Sequence, residues 1–279
     1  MVSVLPIGLV DSYDAALDLL RRLNPQNITE NLEKIIHLNP DLAEDLLSTV
    51  DVPLSIAKDP TNGKPFLTCD YNRDLDSFRS PWSNKYYPQL DDDDSPYPSA
   101  ALRELEVKLN DAVDIYRDLY YEGGISSVYL WDQDDSVESG FAGVALFKKS
   151  TEDNQGLWDS IHVLEVEKKS STKYLYKATS TIILDLTKVS KENRVKLSGN
   201  LIRQNEKIGE VEKGDLYGHI VNIGSLVEDV ESKLRNLLQQ VYFDKTSDII
   251  GDLRTLGSLS QLKQEKEQHS EVIKGMQGL

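Results

Sequence analysis

Between residues 125 and 206 the chain adopts a two-residue hydrophobic period and keeps it through five successive runs: ISSVYLW, FAGVALFKK, LWDSIHVLEVE, KYLYKATSTIILDL and VKLSGNLIRQ. In extended backbone successive side chains point to opposite faces, so each run reads as a strand. The fourth shows the pattern best. Tyr174, Tyr176, Ala178, Ile182, Leu184 and Leu186 share one face, and Lys173, Lys177, Thr179, Thr181 and Asp185 share the other. Links as short as KVSKEN suit a meander, because parallel strands would need long crossovers. Five such strands in sequence predict an open antiparallel sheet with two edges.

Helical patterns flank this region. Ser99 is placed to cap a helix over AALRELEVKLNDAVDIYRDLYYE, where Leu102, Leu105, Leu109, Ala112, Tyr116 and Leu119 alternate by three and four until Gly123-Gly124 stop it. The glycine pair is not a phosphate loop, since no Lys-Ser/Thr follows. A second helix carries Ile220, Ile223, Val227, Val230, Leu234, Leu237 and Val241 in a seven-residue repeat, with Leu226 and Leu238 widening the stripe. An open sheet beside a widened stripe predicts surface that another chain covers.

Residues 11–50 read as three short helices forming a bundle or stalk, two of them opened by Asn-Pro, with asparagine as cap and proline at the first helical position. Residues 1–10 read as disordered. Pro53, Pro60, Pro65, Pro81, Pro88, Pro96 and Pro98 fall between 51 and 98, which predicts an extended surface connector. Residues 99–255 form the globular unit. The fold class is α+β: a three-helix stalk, a five-stranded antiparallel meander, a long C-terminal helix crossing it, and a mobile tail at 256–279.

Composition narrows the function. A net charge of −16 repels phosphate backbones and argues against nonspecific nucleic-acid binding. The single cysteine, Cys69, excludes an internal disulfide and a thiolate-built zinc site. The apolar start VSVLPIGLV lacks a basic flank and is broken by Pro6 and Gly8, so it is a poor signal peptide. No apolar window is long enough to cross a membrane. The chain reads as cytosolic.

CDYNRDLDSFRSPWSNKYYP, residues 69–88, imitates a calcium loop, with Asp70, Asn72, Asp74 and Asp76 at alternate positions. The loop's sixth and twelfth positions should be glycine and glutamate but are Leu75 and Pro81. A polar turn segment is the plainer reading. His37, His162, His219 and His269 show no ligand spacing. Asp159, Ser160 and His162 cannot form a triad, because neighbours on a strand alternate faces. No metal, no cofactor and no catalytic residue is expected, and the chain does not read as an enzyme. The tail is polar until Val272, Ile273, Met276 and Leu279 form a short apolar face, either an exposed amphipathic segment that docks on a partner or a frayed helix end.

Several strings in this order, among them AALDLLRRLNP, CDYNRDLDSFRSPWSNKYYP, YRDLYYEGGISSVYLWD, LSGNLIRQNEK and HIVNIGSLVEDVESKLRNLLQQVYFDKTSDII, resemble the β subunit of F-actin capping protein over residues 11 to 255. The resemblance implies a heterodimer with an α subunit of similar fold, whose sheet joins this one. It implies calcium-independent capping of the barbed filament end in cytoplasmic, cortical actin structures. The tail would be a mobile tentacle docking on actin through Val272, Ile273 and Met276, with Leu279 added by spacing. Gly275 and Gly278 would each cost that helix about 1 kcal/mol. Lys233 and Arg235 match a basic patch that faces actin and anionic phosphoinositides. Arg22 and Tyr86 match positions that receive peptides bearing a capping-protein-interaction motif. Asp70 and Asp74 lie nearby in sequence and could pair with basic residues of such peptides. A structural heterodimer scaffold without filament-end activity is the competing reading.

Overall fold

A computed structural model describes residues 12–23, 27–90, 95–133, 140–151, 156–189, 194–212 and 214–240; the side chains of 21, 22, 48, 49 and 186–198 lie outside the description. The expected disordered start (1–10) and tail (256–279) also lie outside the described residues. The chain divides within its last helix into two compact units, Met1–Val230 and Glu231–Leu279.

In the first unit, α1 (Ser12–Arg22), α2 (Ile28–Leu38) and α3 (Ala43–Thr49) pack around Ala16, Leu20, Ile28, Leu32, Leu42 and Leu46. Pro40 opens a 3-10 turn that leads into α3, as Asn-Pro predicts. Asn39 does not cap through its side chain. Its backbone N–H instead donates to Ile35 O at 2.9 Å and closes α2.

Residues 51–98 are more organised than a surface connector. β1 (Ser55–Lys58) pairs with β2 (Pro65–Thr68), and β3 (Arg73–Asp74), β4 (Ser77–Arg79) and β5 (Tyr86–Tyr87) form a small antiparallel sheet. The prolines keep these strands short without keeping them on the surface. Leu54, Phe66, Leu67 and Tyr86 are buried.

The five predicted strands are β6 (Ile125–Asp132), β7 (Gly140–Ser150), β8 (Gly156–Lys168), β9 (Lys173–Val189) and β10 (Arg194–Glu210), antiparallel throughout in the order β10-β9-β8-β7-β6. One face packs beneath α4 (Ala100–Tyr120) and α5 (Leu216–Leu238) through Phe141, Phe147, Leu164, Val166, Tyr174 and Tyr176. The other face meets Leu54 and Leu67 through Tyr129, Val144, Leu146, Ile161 and Ile183. Ser99 caps α4 by accepting from Leu102 N, and Gly123, at φ +70°, turns the chain toward β6 as only glycine does without strain.

The apolar stripe of α4 differs from its sequence reading. Leu102, Leu105 and Leu109 are buried, but the stripe continues through Val113, and Leu119 faces solvent at 73% exposure. Two polar residues on the buried side, Glu106 and Asn110, do what a neighbouring strand would do. Asn110 Nδ2 donates to Val128 O and its Oδ1 accepts from Val128 N, both at 2.9 Å. Leu130 N donates to Glu106 Oε2 at 2.6 Å. Arg79 Nη2 donates to Leu130 O at 3.4 Å. Side chains thus satisfy the backbone groups of the β6 edge.

Arg79 and Glu106 form a buried two-pronged pair, Nη1 to Oε1 at 2.9 Å and Nη2 to Oε2 at 2.7 Å, and Arg103 Nη1 also donates to Oε1. Removing Arg79 leaves the fully buried Glu106 with Arg103 as its remaining cation among the described residues and one carboxylate oxygen without its guanidinium partner. Arg79→Ala should cost about 3–5 kcal/mol of unfolding free energy. Arg79→Met with Glu106→Leu should cost less than the two single losses added together, because the pair is removed as a unit, although Leu130 N then loses its acceptor. Urea unfolding of the wild type, the single variants and the double variant measures this, and a loss in Arg79→Ala below about 1 kcal/mol would remove the pair from its structural role.

His219 on α5 is enclosed by Phe141 and Tyr174, and its Nδ1 shares a hydrogen bond with the Tyr176 hydroxyl at 2.9 Å. Burial pushes its pKa down to about 4 against the pull of Asp215, so the folded protein resists protonating it. Its contribution to stability is whole above the unfolded value of 6.5 and is lost as pH falls toward 4. The loss approaches about 3 kcal/mol. Asp51 and Asp159, whose carboxyls burial pushes up, work in the opposite sense. Stability measured from pH 7 down to 4 should fall less steeply in His219→Phe than in the wild type.

Candidate functional site

The segment 69–88 is held by its own polar side chains. Asn72, 3% exposed, accepts from Cys69 N at 2.9 Å and donates to Leu67 O and Arg79 O at 3.3 and 3.0 Å. Asp70 and Asp76 face outward, flanking Arg73 at 3.6 and 3.8 Å. A side chain so committed inside cannot join an ion cage with carboxylates that point to solvent. Alternate positions in the sequence do not converge here, because a 3-10 turn at Asp70–Asn72 and Leu75 at φ +50° break the extended geometry.

Asp59 ties this segment to the β1–β2 turn. Its carboxylate accepts from Ser80 Oγ at 2.7 Å, Thr61 N at 2.7 Å and Ser83 N at 3.1 Å. Burial would raise its pKa, but these donors outweigh it and hold the group at about 2. Burial pushes the Cys69 thiol up to about 12, leaving it an inert packing group.

Of the two carboxylates expected to pair with regulator peptides, Asp70 is exposed and Asp74 half-buried, both on this segment. Tyr86 differs from the expectation of an open contact. It is 4% exposed, its hydroxyl donates to Pro96 O at 3.0 Å, and its ring packs edge-on against Tyr97. Arg22 ends α1, with its side chain outside the described residues.

In the second unit, residues 231–240 are described. Lys233 is exposed on α5, whereas Arg235 is committed to the buried Glu231, Nη2 to Oε2 at 3.3 Å. The pattern ESKLRNLL therefore presents its two cations differently. Glu231, Leu234 and Leu238 are buried on one side of the helix. Val272, Ile273, Met276 and Leu279 lie outside the described residues.

The remaining feature is an edge. Among the described residues β10 pairs with β9 along its length and has no strand on its other side. Ile208, on this strand, is 63% exposed. The sheet face beside it carries a groove of about 560 Å³ lined by Val163, Glu165, Lys177, Thr179, Gln204 and Glu206. Asp159, Ser160 and His162 do not converge. Asp159 accepts from Lys148 Nζ and from Leu54 N, Ser160 bonds Tyr121 and Trp158, and His162 bonds Ser180. These groups all serve packing. The residues that sequence reading missed are Arg79, Glu106, Asn110 and Asp59; the available signal was a Glu and an Asn one turn apart on the leucine face of α4.

Comparison with known proteins gives a consistent result. The family model described as "F-actin capping protein, beta subunit" matches residues 13–250. The chain is similar to F-actin-capping protein subunit beta of Candida glabrata, 55% identical over 96% of this chain and 99% of that protein. It is 56% identical to the Yarrowia lipolytica protein of that name and 52% identical to the one of Saccharomyces cerevisiae, each over 96% of this chain and 99% and 98% of those proteins. Its fold resembles that of the homodimeric actin capping protein alpha subunit from Plasmodium berghei, with a TM-score of 0.50 and 17% identity over 88% of this chain and 96% of that one. On this evidence the chain belongs to the F-actin capping protein β-subunit family.

Proposed function

We propose that the chain is the β subunit of a heterodimeric protein that caps the barbed end of actin filaments, blocking addition and loss of subunits without catalysis and without calcium. The observation that carries this reading is family membership along nearly the whole chain. The unequal edges of the sheet support the heterodimer. Val128 and Leu130 of β6 are closed by side chains, and the seventeen-residue β10 offers the outward backbone groups of its alternate residues to the sheet of an α subunit. The commitment of Asn72 inside the 69–88 segment supports calcium independence.

Contact with actin falls to Lys233, to Arg235 through whatever charge Glu231 leaves uncompensated, and to the apolar face of Val272, Ile273, Met276 and Leu279. Burying four such side chains gains about 1.5–3 kcal/mol each before the cost of ordering the tail. The tail tightens binding without determining the fold. The same cations suit phosphoinositide headgroups. The site of action is the cortical actin cytoskeleton.

The test is elongation of fluorescent actin from filament seeds in the presence of the chain purified with its α partner, full length and cut after Lys266. Full-length complex should stop growth at nanomolar concentration, and the cut form should release ends faster. Unchanged elongation with full-length complex would favour a scaffold that does not touch filament ends.

For peptides bearing a capping-protein-interaction motif, the exposed Asp70 and the half-buried Asp74 are the proposed contacts, together with Arg22 and Tyr86. Asp70→Ala with Asp74→Ala should weaken peptide binding by more than about twofold in a fluorescence titration. A smaller change would remove these carboxylates from the site.

A further inference from the structure

Helices α4 and α5 lie side by side over the sheet and run in the same direction. Lys108 Nζ stands 5.0 Å from the centre of the Tyr217 ring, and farther along both helices the Tyr120 hydroxyl donates to Glu228 Oε1 at 3.4 Å. Between these two ties the helices expose large apolar side chains toward a common trough. Ile115 and Leu119 on α4 are 64% and 73% exposed, and Tyr217 and Val221 on α5 are 65% and 68% exposed. Tyr116 and Ile220 lie beneath, packed against the core. Gly224 keeps the α5 wall low, with open space where a side chain would stand.

The spacing is that of a seam. Lys108, Ala112, Ile115 and Leu119 follow one another by four, three and four, and Tyr217, Val221, Gly224 and Glu228 do the same. Such a pair of stripes is what an added helix packs into, side chains at i, i+4 and i+7 filling the trough. Isolated exposed apolar residues need no explanation, but four that line one trough do.

The rim states the charge of the occupant. Glu104, Asp111 and Asp118 are exposed on α4, and Glu228 is exposed on α5. Lys108 is already held by Glu104 at 2.7 Å. We propose that the trough between α4 and α5 is a docking site for a basic amphipathic helix supplied by another protein, its apolar stripe over Ile115, Leu119, Tyr217 and Val221 and its Lys or Arg flanks against the acidic rim. An acidic helix with the same stripe is repelled by that rim.

The test uses the complete heterodimer and a fluorescein-labelled synthetic peptide of about five helical turns, with leucines at i, i+4 and i+7 and lysines on the flanks. A twin peptide carries glutamate in place of lysine. Fluorescence anisotropy should show binding of the lysine peptide only, weakened about tenfold or more by Ile115→Ser with Val221→Ser. Ile56→Ser, at an exposed isoleucine on β1, should leave binding unchanged. All variants should still co-purify with the α chain. Equal binding to wild type and the trough variant would overturn the proposal in favour of nonspecific attraction to an acidic protein. Failure of the trough variant to hold its α chain would overturn it too, by making the trough part of the subunit interface.

Discussion

The fold depends on how the β6 edge is closed. A sheet of five strands has two rows of backbone groups that lack a strand partner, and each buried group must find a hydrogen bond or bear the cost of desolvation. On β6 the partners are side chains: Asn110 for both groups of Val128, Glu106 for the N–H of Leu130 and Arg79 for its carbonyl. Glu106 is charged, so it must be neutralised where it lies, and Arg79 does this from the small β3–β4–β5 sheet. Closing the edge thereby fastens α4, β6 and the 51–98 segment to one another. Short strands of this kind do not hold themselves together in water. They persist because Arg79 at one end and Asp59 at the other anchor them in buried polar networks.

This arrangement explains which parts were legible in the sequence. Strand order, the limits of the first three strands and the two long helices follow from apolar periodicity, which reports burial of carbon; β9 runs three residues and β10 six residues past their expected ends, to Val189 and Glu210. The edge closure is invisible to that signal. Glu106 and Asn110 count as polar interruptions on the face of Leu102, Leu105 and Leu109, although they are as buried as the leucines. Leu119 errs the other way, apolar yet exposed: at 3.6 residues per turn it lies about 80° round the helix from Leu109, while Tyr116 and Tyr121 hold the end of α4 against Phe147. Proline content predicted an extended surface connector over 51–98, since proline limits strand length; it carries no information about whether short strands are buried.

The site residues divide along the same line. Asp70, Asn72, Asp74 and Asp76 are evenly spaced in sequence, but evenly spaced side chains share a face only in a regular strand, and here a 3-10 turn and a left-handed Leu75 intervene. Asn72 turns in as a scaffold and Asp70 turns out. Tyr86 and Arg235 show that matching a motif locates a residue without stating whether it is available. One is enclosed beside Tyr97, and the other is committed to Glu231.

An edge that must stay open cannot be protected in the way β6 is. Among the described residues no strand lies on the outer side of β10, Ile208 on it is exposed, and α5 meets the last residue of the strand, where Asn222 Nδ2 donates to Glu210 O at 3.4 Å. Such an edge attracts any extended chain, its own copies included. A permanent partner sheet removes that hazard and at the same time satisfies the outward-pointing backbone groups, which in an antiparallel ladder belong to alternate residues of the seventeen-residue strand. The asymmetry therefore has a direct physical reading. The buried carboxylate on α4 satisfies backbone groups at the β6 edge and leaves β10, among the described residues, as the edge to which a strand can add.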